Sequence, residues 1–310
     1  MAKLQYQGYS ESDRAIPVAE KFGSANLYRR QATSLLNPAT GFIKAYDFTL
    51  NPYQGCQYGC GYCYAAAFSP HYKMRQDWGN WIIVKENAAE LMEKELASWE
   101  RKQSQSDSKR PPKIYMSTVT DPYQPIESKE KITRSLLEVM VAYQPILVIQ
   151  TRSPMVVRDM EILKKFRHLR INMSVPTGSE SVRKDFEPRS PSIKARLKAI
   201  ATLRHGLPCD ELHDVRCSVT ATPLLPTYFK DQIPFINKMQ VVDRVVIQPF
   251  HNLRAGALTA VTRQEAIAIV KKYDWWYQNE EENYKKFKRL LQEQLSAVEI
   301  KEGQSGFTYE

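Results

Sequence analysis

No stretch of the 310 residues approaches the ~18 consecutive apolar positions of a membrane-spanning helix. The best apolar runs, such as ILVI at 146–149, are the length of a strand. The first residues, MAKLQYQGYSESDR, lack the apolar centre of a secretory leader, so the sequence predicts a cytoplasmic protein with no membrane association. Cysteine is scarce: there are five, an odd number, and a secreted disulfide scaffold would be smaller and richer in them. Collagen-like glycine spacing, sustained heptads and repeats of fixed length are all missing. With 43% hydrophobic residues the chain is not disordered, and it can build a large core. What is in excess is positive charge, +10 overall, which suits a polyanionic partner but is also common among soluble enzymes.

Hydrophobic periodicity then sets the architecture. Strand-like runs occupy 46–51, 80–85, 113–117, 145–151, 170–175, 214–222 and 243–249. Between them lie helical patterns: Leu91, Met92, Leu96 and Trp99; then 129–143, 155–167, 192–204 and 229–239. The Ser-rich, charged stretch 101–112 reads as a surface linker. Alternation of this kind predicts an α/β protein with a parallel sheet. Six or seven units are too few for a closed eight-stranded barrel. A partial (β/α)6 TIM-like barrel is therefore expected rather than a doubly wound sheet. Residues 1–45 form an N-terminal arm in this reading, 46–250 the core, and 251–310 a C-terminal helical extension.

Three of the cysteines fall together in 51-NPYQGCQYGCGYCYA-65, as Cys56-x3-Cys60-x2-Cys63. A structural zinc ion wants four ligands, and here no paired fourth is present. Three thiolates suit a [4Fe–4S] cluster that keeps one iron open for another ligand. Gly55, Gly59 and Gly61 permit positive φ and close backbone approach. The bland alternatives are three buried structural cysteines, or a zinc knuckle completed from elsewhere. After the next strand comes 117-STVTDPYQPIE-127, whose Ser117, Thr118, Thr120 and Asp121 suit an ammonium group, or else cap the following helix. Arg152 and Ser153 end another strand, where a guanidinium fork suits a carboxylate. Glu187, Arg189 and Arg196 read as an ion-pair cluster or a substrate anchor, with architecture favoured.

The cysteine spacing, with an aromatic before the last cysteine, resembles the radical S-adenosylmethionine (SAM) superfamily. Together with 117–127, 150-QTRSPMVVRD-159 and 187-EPRSPSIKARL-197, it resembles the spore-photolyase-like branch over roughly residues 35–250. The resemblance implies a [4Fe–4S] cluster on Cys56, Cys60 and Cys63, and SAM as second cofactor. It implies reductive cleavage of SAM to a 5′-deoxyadenosyl radical that abstracts hydrogen from a substrate. Tyr62 would lie beside the adenine, Ser117, Thr118 and Asp121 near the methionyl amine, and Ser174 near the ribose or carboxylate. Arg152, followed by Ser153, stands where the branch usually carries the lysine of a TKS sequence. A reducing partner of the flavodoxin or ferredoxin type is implied, and a nucleic-acid substrate with lyase-like lesion repair is one option. A peptide or small molecule is the other, because no cysteine lies between Cys63 and Cys209 to return hydrogen to a repaired lesion. A non-catalytic iron–sulfur or zinc protein is the competing class.

Other signals carry less. His205, Cys209, His213 and Cys217 recur every fourth residue, but Gly206 and Pro208 interrupt any shared helix. The aromatic and basic stretch 271–290 reads as a helix packed on the barrel rather than a base-stacking surface. The positions of His251 and Asn252, just past a strand, make them candidates for a substrate pocket.

Overall fold

The computed structural model describes residues 20–105, 109–250 and 264–310. The main sheet contains β3 (Leu36–Pro38), β4 (Phe48–Leu50), β7 (Lys113–Met116), β8 (Ile146–Thr151), β9 (His168–Ser174), β10 (Asp214–Leu224), β11 (Arg244–Pro249) and β12 (Glu299–Glu302). They lie side by side in the order β12-β11-β10-β9-β8-β7-β4-β3. Every pair is parallel except β3 with β4. Sequential order without a reversal is that of an opened barrel, not of a doubly wound sheet. The central strands are apolar runs because parallel strands are covered on both faces. Leu147, Ile149, Leu169, Ile171 and Val219 are fully buried, and they share one core cluster with residues of helices Ala88–Ser104, Ile132–Tyr143 and Ile193–Gly206.

A smaller sheet joins β1 (Glu20–Phe22), β2 (Ala25–Arg30), β6 (Trp81–Lys85) and β5 (Tyr53–Gln54), in the order β1-β2-β6-β5. Part of the expected arm therefore folds as strands. The run at 80–85 forms its strand, but outside the barrel sheet. All five residues of β6 are buried.

Several local expectations are corrected. The helix from Ala88 continues through Ser104, so the surface linker is shorter than 101–112. The helix expected at 129–143 starts at Ile132, after a separate turn Glu127–Glu130, because Lys131 takes a left-handed φ of 52°. The segment 155–167 is a 3-10 turn, Pro154–Asp159, and a short helix, Met160–Leu163. The helix Glu180–Phe186 was not anticipated.

Residues 271–290 are largely helical, within Gln264–Lys272, Asp274–Tyr277 and Glu280–Gln294, and Phe287 and Leu291 join the main core cluster. The chain then adds β12 parallel to β11, Arg244 facing Glu299. Beyond it, residues 303–310 close one end of the barrel. Arg244 donates to the carbonyl oxygens of Thr308 at 2.7 Å and of Glu310, and Arg170 to that of Tyr309 at 2.9 Å.

Candidate functional site

The segments singled out by motif all leave the carboxyl ends of adjacent strands. β4 runs into the cysteine loop, β7 into Ser117–Asp121, β8 into Arg152 and Ser153, and β9 ends at Ser174. Parallel α/β sheets collect their chemistry at this edge.

The cysteine loop is shaped by two glycines. Gly55 has φ +86°, and a Cβ there would meet the Trp81 carbonyl oxygen at 2.6 Å; Gly59 has φ +57°. Gly61 keeps an ordinary φ; its N–H donates to the Phe186 carbonyl at 2.9 Å.

The loop is stapled to the 117–127 segment by amide side chains. Asn51 Oδ1 accepts from the Thr118 and Val119 N–H groups, both at 3.0 Å, while its Nδ2 donates to Thr118 Oγ1 at 3.1 Å. Gln124 accepts from the Gln57 N–H at 2.9 Å and donates to the Gly55 carbonyl at 3.3 Å. Gln57 Oε1 accepts from the Ile126 N–H at 2.7 Å, and Thr120 donates to the Gly55 carbonyl at 2.6 Å. Asn51, Gln57 and Gln124 were not anticipated as site residues. Their signal was a polar amide on each side of a Gly-rich turn, without any hint of which amide meets which loop.

Asp121 has no free oxygen. Oδ1 accepts from the Thr151 hydroxyl at 2.7 Å and the Tyr123 N–H at 2.9 Å, and Oδ2 from the Arg152 N–H at 2.8 Å. Burial raises its carboxyl above the usual range, against the pull of Arg152 and Thr151. Ser117 is different. It holds φ 79°, rare for a residue with a side chain, and its buried hydroxyl has no partner. Ser153 caps the turn after β8, accepting from the Met155 N–H at 3.3 Å.

Arg152 reaches the Cys60 sulfur at 2.9 Å and pairs with Glu187. Glu187 also pairs with Arg196 at 2.6 Å and accepts from the Tyr62 hydroxyl at 2.5 Å. Burial alone would raise the Glu187 carboxyl, but Arg152 and Arg196 hold it below the ordinary range. Arg196 donates to the Ser174 carbonyl at 3.1 Å, tying the end of β9 to the same cluster. Arg189 is not part of it: it donates to the Gly79 carbonyl at 2.7 Å, and Arg152 takes the place expected of it. The Tyr62 ring lies 6.3 Å from both Phe186 and Phe250.

Cys217 packs in the main core cluster with helix residues, and Cys209 is exposed. Among the described residues no three His, Cys, Asp or Glu side chains converge as on a single metal ion. His251 and Asn252 lie outside the described residues.

A cysteine loop held over the open edge of a partial parallel barrel defines a class of enzymes that start radical chemistry from an iron–sulfur centre. Residues 50–233 match the family described as the radical SAM superfamily, well over half of the chain, and the protein belongs to that superfamily. It is similar to an uncharacterized protein of Methanocaldococcus jannaschii, 35% identical over 173 residues that make up 56% of this chain and 60% of that one. An uncharacterized protein of Mycobacterium tuberculosis is 25% identical over 188 residues, 58% of this chain and 50% of the relative. The matches thus span only half to three fifths of these curated relatives. In fold the chain is similar to spore photoproduct lyase complexed with dinucleoside spore photoproduct, at 14% identity and a TM-score of 0.58, covering 93% of this chain and 86% of that one. A mutant of the same lyase with bound AdoMet and dinucleoside spore photoproduct gives a TM-score of 0.57 at 14% identity, covering 88% and 81%.

The superfamily's cofactors are SAM and a [4Fe–4S] cluster, and the residues present fit the cluster. Burial pushes the Cys60 thiol up to about 12, Arg152 opposing the rise and Glu187 adding to it. Burial, Asp121 and the other two sulfurs raise Cys56 well above its usual value. Sulfurs so placed become thiolates only beside a cationic centre, which the iron of such a cluster would supply. No helix among the described residues is long and apolar enough to cross a membrane.

Proposed function

We propose that Cys56, Cys60 and Cys63 hold the [4Fe–4S] cluster, and that Ser117, Thr118, Asp121, Arg152, Ser153 and Ser174 surround SAM, with Tyr62 beside its adenine. The observation that carries this reading is the meeting of the cysteine loop with the carboxyl ends of β7, β8 and β9 around Arg152 and the unpartnered Ser117 hydroxyl. When bound, the cluster supplies the single electron that splits SAM reductively and starts hydrogen abstraction.

The chain's own residues do the rest. Arg152, steadied by Glu187, presents a charged fork to a carboxylate. Asp121, engaged by three donors, acts through the backbone of Arg152 and is a positioning residue. Ser117 keeps a hydroxyl free for a polar group of the ligand. Tyr62, Phe186 and Phe250 form an aromatic wall that keeps water from a reactive intermediate.

The enzyme works in the cytoplasm with a flavodoxin- or ferredoxin-type reductant. Its substrate is a nucleic acid in this reading, supported by the +10 charge and by the lyase whose fold it shares. A peptide or small molecule is the second reading. It is favoured by the thiols: Cys217 packs among helix residues and Cys209 is exposed, so hydrogen return would fall to a phenol such as Tyr62.

Anaerobic reconstitution followed by SAM and dithionite should yield 5′-deoxyadenosine, and Cys56→Ala, Cys60→Ala or Cys63→Ala should each abolish it together with the brown chromophore. An intact cluster that never yields 5′-deoxyadenosine would refute the enzyme reading. One zinc and no iron per chain would favour a structural module. Restored thymidine from irradiated DNA would identify repair; persistent lesions despite SAM turnover would leave the second reading.

A further inference from the structure

A cleft of about 580 Å³ opens behind the cysteine loop, and none of the residues assigned above to the cluster or to SAM lines it. Its wall is built from β2, β5 and β6 of the small sheet, with Gly55 and Trp78 beside them. That volume suits a small organic molecule.

The polar groups in this wall are strangely underused. Lys85, at the end of β6, is 7% exposed, and its ammonium donates to the Asn51 carbonyl at 2.6 Å. Among the described residues it forms no ion pair. Glu95, the carboxylate that acts on it, accepts instead from the N–H groups of Leu35 at 3.0 Å and Leu36 at 2.7 Å. Three further lining groups are buried and without a hydrogen-bond partner: Arg30 Nε, Trp78 Nε1 and Gln54 Oε1. Buried polar groups are nearly always paired, and an unpaired buried cation is costlier still. Three such groups and an ammonium without a counter-ion on one cleft point to a missing ligand rather than to independent defects.

The complement of this wall can be read from its chemistry. Two cationic side chains and an indole N–H all donate, which demands several acceptor oxygens carrying negative charge. A lone acceptor, Gln54 Oε1, demands one donor as well. A phosphate monoester on a hydroxylated body meets both demands, while a carboxylate offers only two oxygens and one charge. The volume of the cleft suits a small ligand.

We propose that this cleft binds the phosphate group of a mononucleotide-sized molecule, with Lys85, Arg30 and the Trp78 indole as donors. The cleft backs onto the cysteine loop, but the proposal does not rest on the reading given above, since none of the residues assigned there lines it. Inorganic phosphate is the probe, with acetate at matched ionic strength as the comparison anion. Binding is followed by tryptophan fluorescence, since Trp78 and Trp81 line the cleft, and by thermal unfolding.

Phosphate should change the emission saturably and raise the melting temperature. Lys85→Met should weaken phosphate at least about tenfold, while leaving the melting temperature without phosphate unchanged or higher. Trp78→Phe, which keeps an aromatic ring and removes the donor, should weaken it about fivefold and covers the case that the lysine variant fails to fold. Absence of a saturable response in the wild-type chain, an equal or exclusive response to acetate, or undiminished affinity in either variant would overturn the proposal. So would a lowered melting temperature of Lys85→Met in a chain that ignores phosphate, which marks the lysine as structural.

Discussion

At Glu187 a carboxylate with no exposed surface faces two guanidinium groups and a phenol; at Lys85 an ammonium with little exposed surface faces one carbonyl. Both clusters border the cysteine loop, the first through Cys60 and Tyr62, the second through Asn51 and Gly55. In the first, every ionised side chain has an ion-pair partner within the protein, so the cluster can position Arg152 without outside help. In the second the charge is left over. A charge with an internal partner acts as architecture that serves a neighbour; one without such a partner is open to a ligand.

The contrast can be broken by experiment. The largest effect is expected at Glu187. Glu187→Gln strands two buried guanidinium groups and should cost about 3–5 kcal/mol in chemical denaturation. A loss well under this range would show that the two arginines find other partners. The pH dependence has a definite sign: because the Glu187 carboxyl is held below its ordinary value of 4.5, its contribution is intact above that pH. It fades as pH falls through the lower, folded value.

Lys85 gives a slope of the same sign for the opposite reason, because its charged form is the one the fold disfavours. Burial and the nearby Arg30 lower its ammonium from 10.5 to about 8. The folded chain gives up that proton first, so stability rises between those two values, by up to about 3 kcal/mol. The difference between wild type and Lys85→Met isolates this rise from other titrating groups, and equal slopes would refute it. The smallest effect belongs to a pair that is neither closed nor recessed. Lys285 and Glu281, 2.6 Å apart on an exposed helix face, should contribute about 0.3–0.5 kcal/mol, measured as the loss in Lys285→Ala.

How far the sequence carried the description depended on where each interaction reached. Central strands such as Ile146–Thr151 were legible because strands covered on both faces must be apolar. β12 was not: it reads EIKE, an edge strand with polar, partly exposed residues that no periodicity distinguishes from a loop. β1, the edge strand EKF of the small sheet, was hidden for the same reason. At the site, the cysteine spacing and the strand-end motifs were local and readable. The amide staples were not, since Gln57 and Gln124 are 67 residues apart and each alone looks like an ordinary loop residue. Arg189 stood two residues from Glu187 and was grouped with it; the structure puts Arg152 there instead, 35 residues away in the chain. Lys85 drew no notice as the last residue of a strand, because seclusion is invisible in one dimension.

Residues 299–310 have a consequence for biosynthesis. They supply both β12 and the carbonyl oxygens that Arg170 and Arg244 grasp. While a ribosome is still making them, the flank of β11 lies bare and two guanidinium groups wait inside a hollow with no stopper. A nascent chain paused short of this segment is thus a natural client for chaperones, and its release should follow translation of residues 299–310.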